Sequence, residues 1–313
     1  MLQRAIADFG GDHAFGQVEQ KMKEHYGITV PTSSVRTITQ YHAHQMLEQE
    51  DRTAKDCAAL AKAQALILAE TDGSMIPIVK TKPKPEGVDK YDARKYKDHC
   101  WREARLTFAR PVGSITPTFA ATLGGVELVG KNLLSCAQQV GFTEQTKVHC
   151  LGDGAPWIAH QVEEQFGTQA TYLIDLYHVC DYLAQAAPKC SNNNREWMAI
   201  QKENLKAGRL LEVLSDLQPH LEPLDEKDTE APVRRCYRYL DNRRDQLDYP
   251  SAIAKGLPIG SGEIESAHRY VIQKRLKITG AWWKEENAAD MLALRINRAN
   301  QNWEGYWNSR KAA

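Results

Sequence analysis

The stretch Ala65-Leu66-Ile67-Leu68-Ala69-Glu70-Thr71-Asp72-Gly73-Ser74-Met75-Ile76-Pro77-Ile78-Val79 decides the fold class. It opens on an apolar run of strand length, closed by Glu70. Thr71-Asp72-Gly73-Ser74 follows, and Asp-Gly is a turn dipeptide. Met75 to Val79 is apolar again. The spacing predicts strand, turn, strand. A sheet therefore begins near residue 65, and the chain is not all-helical.

The sequence before it predicts helices through residue 64. Phe15, Val18, Met22 and Tyr26 recur at spacings of three, four and four, an amphipathic stripe ended by Gly27. After Ile28-Thr29-Val30-Pro31, Thr32 or Ser33 starts a second helix through Gln40 and beyond. Helix, Gly-containing turn, helix fits a DNA-docking helix-turn-helix, and equally two helices of a bundle. Residues 1–50 hold four basic and six acidic side chains. That balance speaks against strong phosphate contact by this segment alone.

Toward the C-terminus strands and helices alternate. Residues 80–105 predict a polar loop with Pro83, Pro85 and nine Lys or Arg, either DNA-contacting or simply solvated. Strands are predicted at 105–109, 115–123, 148–151 and 170–176. Helices are predicted at 133–140, ended by Gly141, and at 156–166, with Pro156 near the start and Gly167 after it. Residues 177–250 are helical in pattern, with polar breaks at 191–194 and 222–232. A long helix is predicted from 263 to about 279, and another over 287–300. The class is α/β. Its expected parts are a helical, helix-turn-helix-like segment 1–64, a core 65–183, a helical insertion 184–255 and final core helices 256–313.

Composition narrows the function classes. The 313 residues carry 40 Lys+Arg against 40 Asp+Glu, with 42% hydrophobic and 26% charged residues. These are values of a globular chain with a sizeable core, not of a polybasic coating protein. No apolar run reaches about 18 residues, and the N-terminus lacks a signal-peptide core. The expectation is a soluble cytoplasmic protein without a membrane partner. Seven scattered cysteines without a C-x-x-C pair predict reduced thiols rather than disulfides or a Cys-rich zinc site. Gly260-Ser261-Gly262 lacks the P-loop continuation, which argues against a nucleotide-phosphate loop there.

Three acidic positions stand out. Asp72 interrupts the first core strand. Asp153 lies just past the strand 148–151, between Gly152 and Gly154. Glu265 sits in the first turn of the late helix, behind Gly260-Ser261-Gly262. Strand ends and helix starts converge side chains on one crevice in α/β folds. Three carboxylates gathered there would repel one another unless cations held them. Oxygen donors select Mg²⁺ or Mn²⁺. Two such ions about 3.5–4 Å apart activate a water or a 3′-hydroxyl and stabilise the leaving oxygen of a phosphodiester. Each residue alone also has a plain structural use, as turn or helix-terminus chemistry.

The surrounding motifs carry a resemblance. Leu68-Ala69-Glu70-Thr71-Asp72-Gly73-Ser74 resembles the first strand of RNase H-like nucleases. Leu151-Gly152-Asp153-Gly154-Ala155-Pro156-Trp157-Ile158 resembles the second-Asp motif of bacterial insertion-sequence DDE transposases. Asp175-Leu176-Tyr177-His178-Val179-Cys180-Asp181-Tyr182-Leu183 is similar to their Asp-x-x-His motif. Gly260-Ser261-Gly262-Glu263-Ile264-Glu265-Ser266-Ala267, continued by Arg275-Leu276-Lys277 and Gly280-Ala281-Trp282-Trp283, is similar to their third-acid helix. Order and spacing resemble transposases of the ISKra type and close relatives, over roughly residues 65–300. The resemblance implies an RNase H-like mixed β-sheet core with flanking helices and an all-helical insertion. It implies Asp72, Asp153 and Glu265 as catalytic and metal-binding residues, with two Mg²⁺ or Mn²⁺ ions. Glu263 is the rival third acid. Two residues on a helix differ by about 200°, so one of the two faces the metals, and the family pattern favours Glu265. Asp175 and His178 become active-site neighbours. Asp175, His178 and Asp181 share a helical face, so a zinc site is the sharp alternative there and a buried, hydrogen-bonded His the plain one.

Two basic segments suit DNA. Arg234, Arg235, Arg238, Arg243 and Arg244 lie within eleven residues, interleaved with Tyr237 and Tyr239. Guanidinium forks and aromatic rings suit phosphates and bases, although a solvated face paired with Asp241 and Asp245 reads as well. Arg269, Lys274, Arg275 and Lys277 follow Glu265, beside Trp282 and Trp283, which are core anchors or stacking platforms. Residues 251–313 hold ten basic against six acidic residues, so the zero balance is a sum of opposed parts.

The leading expectation is a DDE transposase. It would hydrolyse the element's 3′ ends and use those hydroxyls to attack target DNA. Its partners would be double-stranded DNA, both element ends and target, and copies of itself assembled on that DNA at the nucleoid. An RNase H-like nuclease without strand transfer is the second reading. The third is a catalytically inactive, transposase-derived DNA-binding protein. It fits a chain that opens directly on its first helix, where such transposases often carry more sequence.

Overall fold

The computed structural model describes residues 2–83 and 96–310. Its chain forms two compact units, Met1–Thr146 with Glu263–Ala313, and Lys147–Gly262.

In the first unit, the chain does not turn back at Asp72-Gly73. Strand β1 (Leu66–Thr81) runs through both residues and pairs antiparallel with β2 (Lys97–Pro111), from Ile67 opposite Pro111 to Thr81 opposite Lys97. The expected strand-turn-strand is corrected to one continuous strand. The expected loop 80–105 is corrected at both ends, since 97–105 lies in β2 and residues 80 and 81 in β1. Its middle, residues 84–95, lies outside the described residues. Gly73 lies within the strand opposite Arg105, and a Cβ there would meet only the movable end of the Glu103 side chain. Pro77 is tolerated because its missing N–H is not on the β2 side. Its carbonyl accepts from Trp283 N at 3.1 Å, and Val79 N donates to Trp283 O at 2.7 Å, on the opposite edge of β1. β3 (Thr118–Thr122) pairs antiparallel with the other edge of β2.

Three helices precede β1: α1 (Leu2–Asp12), α2 (Phe15–Tyr26) and α3 (Thr32–Leu60). Ile6, Val18, Met22, Val30 and Val35 form one buried cluster, with Phe9 and Phe15 packed on it. Burying five such side chains contributes on the order of 10 kcal/mol before chain entropy is subtracted. Tyr26 is exposed, so the amphipathic stripe ends at Met22. Gly27 closes α2 at φ 68°, donating to Lys23 O at 3.0 Å. After β3, α4 (Val126–Gln139) stops before Gly141, whose φ is 103°.

The second unit opens with β4 (Lys147–Gly152), α5 (Pro156–Phe166) and β5 (Ala170–Ile174). β4 and β5 pair in parallel, from Val148 opposite Ala170 to Gly152 opposite Ile174. A helix between parallel strands is the expected connection. Then follow α6 (Leu176–Cys190), α7 (Asn194–Lys206), α8 (Leu210–Leu217), α9 (Pro232–Asp241) and α10 (Tyr249–Ala254). α6 packs against both α7 and α9.

The chain returns to the first unit through α11 (Gly262–His268), a π-helical turn (Arg269–Gln273) and α12 (Lys274–Leu276). The predicted long helix is thus one helical run that widens in its middle, a feature that recurs near functional sites. α13 (Glu285–Ala299) packs along α3 and beside β3, and α14 (Trp303–Ser309) follows. The fold is mixed α/β, with antiparallel strands in one unit and parallel strands in the other. No described helix is long and apolar enough to cross a membrane.

Candidate functional site

Within the first unit, β1 and α11 meet at two points. Glu70 is buried, and its Oε2 accepts from Ile264 N at 3.1 Å. A carboxylate is thereby set against the N-terminal amides of α11, where the helix dipole favours it. Two residues on, Asp72 is partly exposed, and its Oδ1 accepts from Gly73 N at 2.7 Å. Its Oδ2 lies 3.6 Å from Nε2 of the buried His268. Burial pushes the His268 imidazole down to about 4, so at neutral pH it meets Asp72 uncharged. Beside them, Lys277 Nζ donates to Ser74 Oγ at 3.2 Å.

The two glutamates of α11 differ in employment. Glu263 is held by Arg110, whose Nε donates to both carboxylate oxygens at 2.8 and 3.0 Å and whose Nη2 donates at 2.8 Å. Glu265 is exposed and forms no ion pair among the described residues.

In the second unit, Asp153 stands at the end of β4 in a loop fixed by its backbone. Tyr239 OH donates to Asp153 O at 2.9 Å, Gly154 N to Tyr172 OH at 3.1 Å, and Arg243 Nε to Gly154 O at 3.0 Å. Gly154 has φ 84°, and a Cβ there would collide with the Tyr239 hydroxyl, so glycine is required twice over. The exposed Asp153 carboxylate accepts from Ala155 N through Oδ1 at 2.8 Å.

Asp175 is the buried centre of this unit. Its N–H donates to Gly152 O at 2.8 Å, and its Oδ1 caps α6 by accepting from Tyr177 N at 2.6 Å. Its Oδ2 accepts from Ser261 N at 3.0 Å and from Ser261 Oγ. Leu176 N donates to Ile259 O at 2.9 Å, and His149 Nε2 lies 2.9 Å from Pro258 O. Asp175 thus ties the Asp-x-x-His motif to Gly152 on one side and to the Gly260-Ser261-Gly262 segment on the other.

His178 faces a cavity of about 670 Å³ between α6 and α9. Arg235, Arg238, Arg243, Tyr182 and Tyr239 line it too. Each helix contributes at spacings of three and four, so one face of each fronts the cavity.

The remaining basic residues divide. Arg234 is bound to the Glu222, Pro223 and Glu226 carbonyls and to Asp228, and Arg244 pairs with Asp241. Arg269 is exposed, and Lys274 Nζ lies 3.5 Å from Asp12. Arg275 is buried, with its guanidinium 4.7 Å from the Phe15 and Trp283 ring centres and its Nε donating to Gly10 O at 2.8 Å. Trp283 is buried as well, so these two are core residues. Trp282 is exposed and packs on His99 and on the exposed Trp101, with ring centres 4.5 and 5.9 Å apart.

The three expected metal carboxylates fall in different units, Asp72 and Glu265 in the first and Asp153 in the second. Their oxygens are the right donors for Mg²⁺ or Mn²⁺. Within the second unit, Asp175, His178 and Asp181 do not stand together as a metal site.

A family model described as an uncharacterised protein family (UPF0236) matches residues 139–311. The chain belongs to this family. No curated protein matches it. The UPF0236 segment contains Asp153, Asp175, His178 and Glu265, the α6–α9 cavity and the whole second unit, while β1 with Asp72 precedes it. Sequence reasoning missed His268, Arg110 and Glu70 as site residues. His268 had a signal, three residues beyond Glu265 on the same helix. Arg110, at the end of a strand, had none.

Proposed function

We propose that this chain is an RNase H-like DDE transposase that cleaves the 3′ ends of an insertion sequence and joins them to target DNA. One observation supports the reading best. The motifs that carry the resemblance are joined within each unit: Glu70 to Ile264 in the first, Asp175 to Gly152 and Ser261 in the second. Segments nearly two hundred residues apart, as Glu70 and Ile264 are, meet through the residues that the motifs contain. In this reading Asp72, Asp153 and Glu265 act on the scissile phosphate. His268 stands beside Asp72, and Asp175 positions the loops around Asp153. Double-stranded DNA is the partner, with two ends brought together by a homo-oligomer.

The alternative to this reading is a DNA-binding protein without catalysis. One assay separates the two. The full chain is incubated with duplexes carrying the terminal sequences that flank its gene, in Mg²⁺, Mn²⁺ or EDTA. The transposase reading expects metal-dependent 3′-end cleavage that falls at least about a thousandfold in Asp72→Ala and Asp153→Asn, with DNA binding retained. Binding without cleavage establishes the second reading instead.

A further inference from the structure

The α6–α9 cavity belongs to no step of the cleavage reading, yet it is built for a particular ligand. α6 presents His178, Asp181, Tyr182 and Gln185 to it, and α9 with its continuation presents Arg235, Arg238, Tyr239 and Asn242. Tyr182 and Tyr239 stack with ring centres 4.0 Å apart and planes 14° from parallel. Arg243 lies over the Tyr239 ring at 4.3 Å. Tyr239 is buried, with Tyr182 stacked on it and Arg243 over its ring, whereas Tyr182 is half-buried, lines the cavity and also meets the His178 ring edge-on at 5.7 Å. The part of the Tyr182 ring that is open to the cavity can accept one more aromatic ring.

The charge at the rim is unbalanced. Arg235 and Arg243 form no ion pair among the described residues; Arg235 donates to Gln185 Oε1, and Arg243 to the Gly154 and Tyr239 carbonyls. Arg238 pairs with the exposed Asp228 at 2.7 Å, a contact that a phosphate can displace. Asp181 is the acid on the lining, suited to a hydroxyl or amino donor and set against phosphate. Guanidiniums for a doubly or singly charged phosphate, an aromatic shelf for a ring and one acceptor are the parts that a nucleotide requires. The volume is in the range of a small-molecule site and too small for a duplex.

We propose that this cavity holds a single nucleotide of a DNA strand, its phosphate on Arg235 and Arg243 and its base on Tyr182. A paired base cannot enter, so the strand must offer an unpaired or extruded nucleotide. The strand as source rests on the DNA-acting reading, while the nucleotide chemistry rests on the cavity alone. Tyr239 OH and Arg243 also hold the backbone of Asp153 and Gly154. An occupied cavity and an ordered Asp153 loop thus share the same two side chains.

The test is calorimetric titration of the full chain with deoxyadenosine 5′-monophosphate, deoxyadenosine, inorganic phosphate, a 5′-phosphorylated single strand of twelve nucleotides and the matching blunt duplex. The monophosphate is expected to bind at least about tenfold more tightly than either of its halves, and the single strand more tightly than the duplex. Tyr182→Ala and Arg235→Ala should each weaken monophosphate and single strand about tenfold, with Tyr182→Phe near wild type and unfolding midpoints showing that the variants fold. Phosphate binding as well as the monophosphate, or affinities indifferent to both alanine variants, overturns the proposal. Monophosphate affinity that responds to the variants while strand affinity does not overturns the DNA strand as the source. Cleavage is scored separately. A protein that binds nucleotide but never cuts keeps this site and loses the transposase reading, and one that cuts with wild-type nucleotide affinity in both variants does the reverse.

Discussion

Arg110 and Glu263, 153 residues apart in sequence, form a forked ion pair with hydrogen bonds of 2.8 to 3.0 Å. Both side chains are only partly exposed, 18% and 35%. The pair fastens the start of α11 to the end of β2. It also engages the Glu263 carboxylate, whereas Glu265, about 200° around the helix, has no ion-pair partner among the described residues.

The two glutamates should therefore separate on mutation. Glu263→Gln is expected to lower stability by about 1 kcal/mol and to leave cleavage within a few-fold. Glu265→Gln is expected to leave the unfolding midpoint unchanged and to reduce cleavage about a thousandfold or more. Parallel urea melts and cleavage rates decide it. The opposite pattern would make Glu263 the third acid.

The Asp175–Ser261 contact gives a second expectation. Asp175 is buried and already caps α6, so Asp175→Asn should cost roughly 2–3 kcal/mol, and Ser261→Ala about 1 kcal/mol. Their double variant should be less destabilised than the sum by about 1–2 kcal/mol, the coupling of two partners in contact. A purely additive cycle would mean that the hydrogen bonds from Ser261 do not hold this segment.

What the sequence revealed and what it concealed follow from how local each cause is. Helix α2 ends at Tyr26 because Gly27 alone can take the left-handed cap, and α5 spans Pro156–Phe166 because Pro and Gly bracket it. Those signals are written in adjacent residues. Asp72-Gly73 misled because pairing with β2, from Ile67 opposite Pro111 to Thr81 opposite Lys97, carries the strand straight through a dipeptide that by itself reads as a turn. The acidic motifs are short strings of adjacent residues, but whether they act together is not written in any one of them. The burial of Arg275 was not, because the rings that enclose it come from Phe15 and Trp283. A basic residue in a basic segment looks like a DNA contact until tertiary partners are known.

Arg275 and Lys277 accordingly make a paired prediction. Arg275 keeps its charge, since burial lowers its pKa only to about 10. Arg275→Leu should cost roughly 2–4 kcal/mol of stability and leave the salt dependence of DNA binding unchanged. Lys277 is exposed, and Lys277→Ala should weaken binding to all sequences a few-fold while flattening the slope of log K against log salt by about one. Binding isotherms across a salt series with melts on the same samples test both. A flattened slope in the Arg275 variant would place that guanidinium on DNA.

His42 supplies a pH signature for the first unit. It is 1% exposed, with Nδ1 2.8 Å from Tyr306 OH and Nε2 2.9 Å from Gln3 Oε1, and so it ties α3 to α14 and α1. Burial, with Arg310 nearby, pushes its pKa down to about 4 from the ordinary 6.5. Above pH 6.5 neither folded nor unfolded chain protonates this ring, and its contribution to stability is intact. As pH falls from 6.5 toward 4, the unfolded chain binds a proton that the folded chain refuses, and stability drains away. The loss approaches roughly 3 kcal/mol near pH 4 and levels off below it. His42→Phe removes the titration and both hydrogen bonds. It should be about 2 kcal/mol less stable than the wild type at pH 7.5, with the gap narrowing by about 2 kcal/mol by pH 4.5. Other buried histidines slope the same way in both proteins, so the difference isolates His42. Urea melts at the two pH values measure it, and a gap that is constant with pH would mean that His42 is protonated in the folded chain.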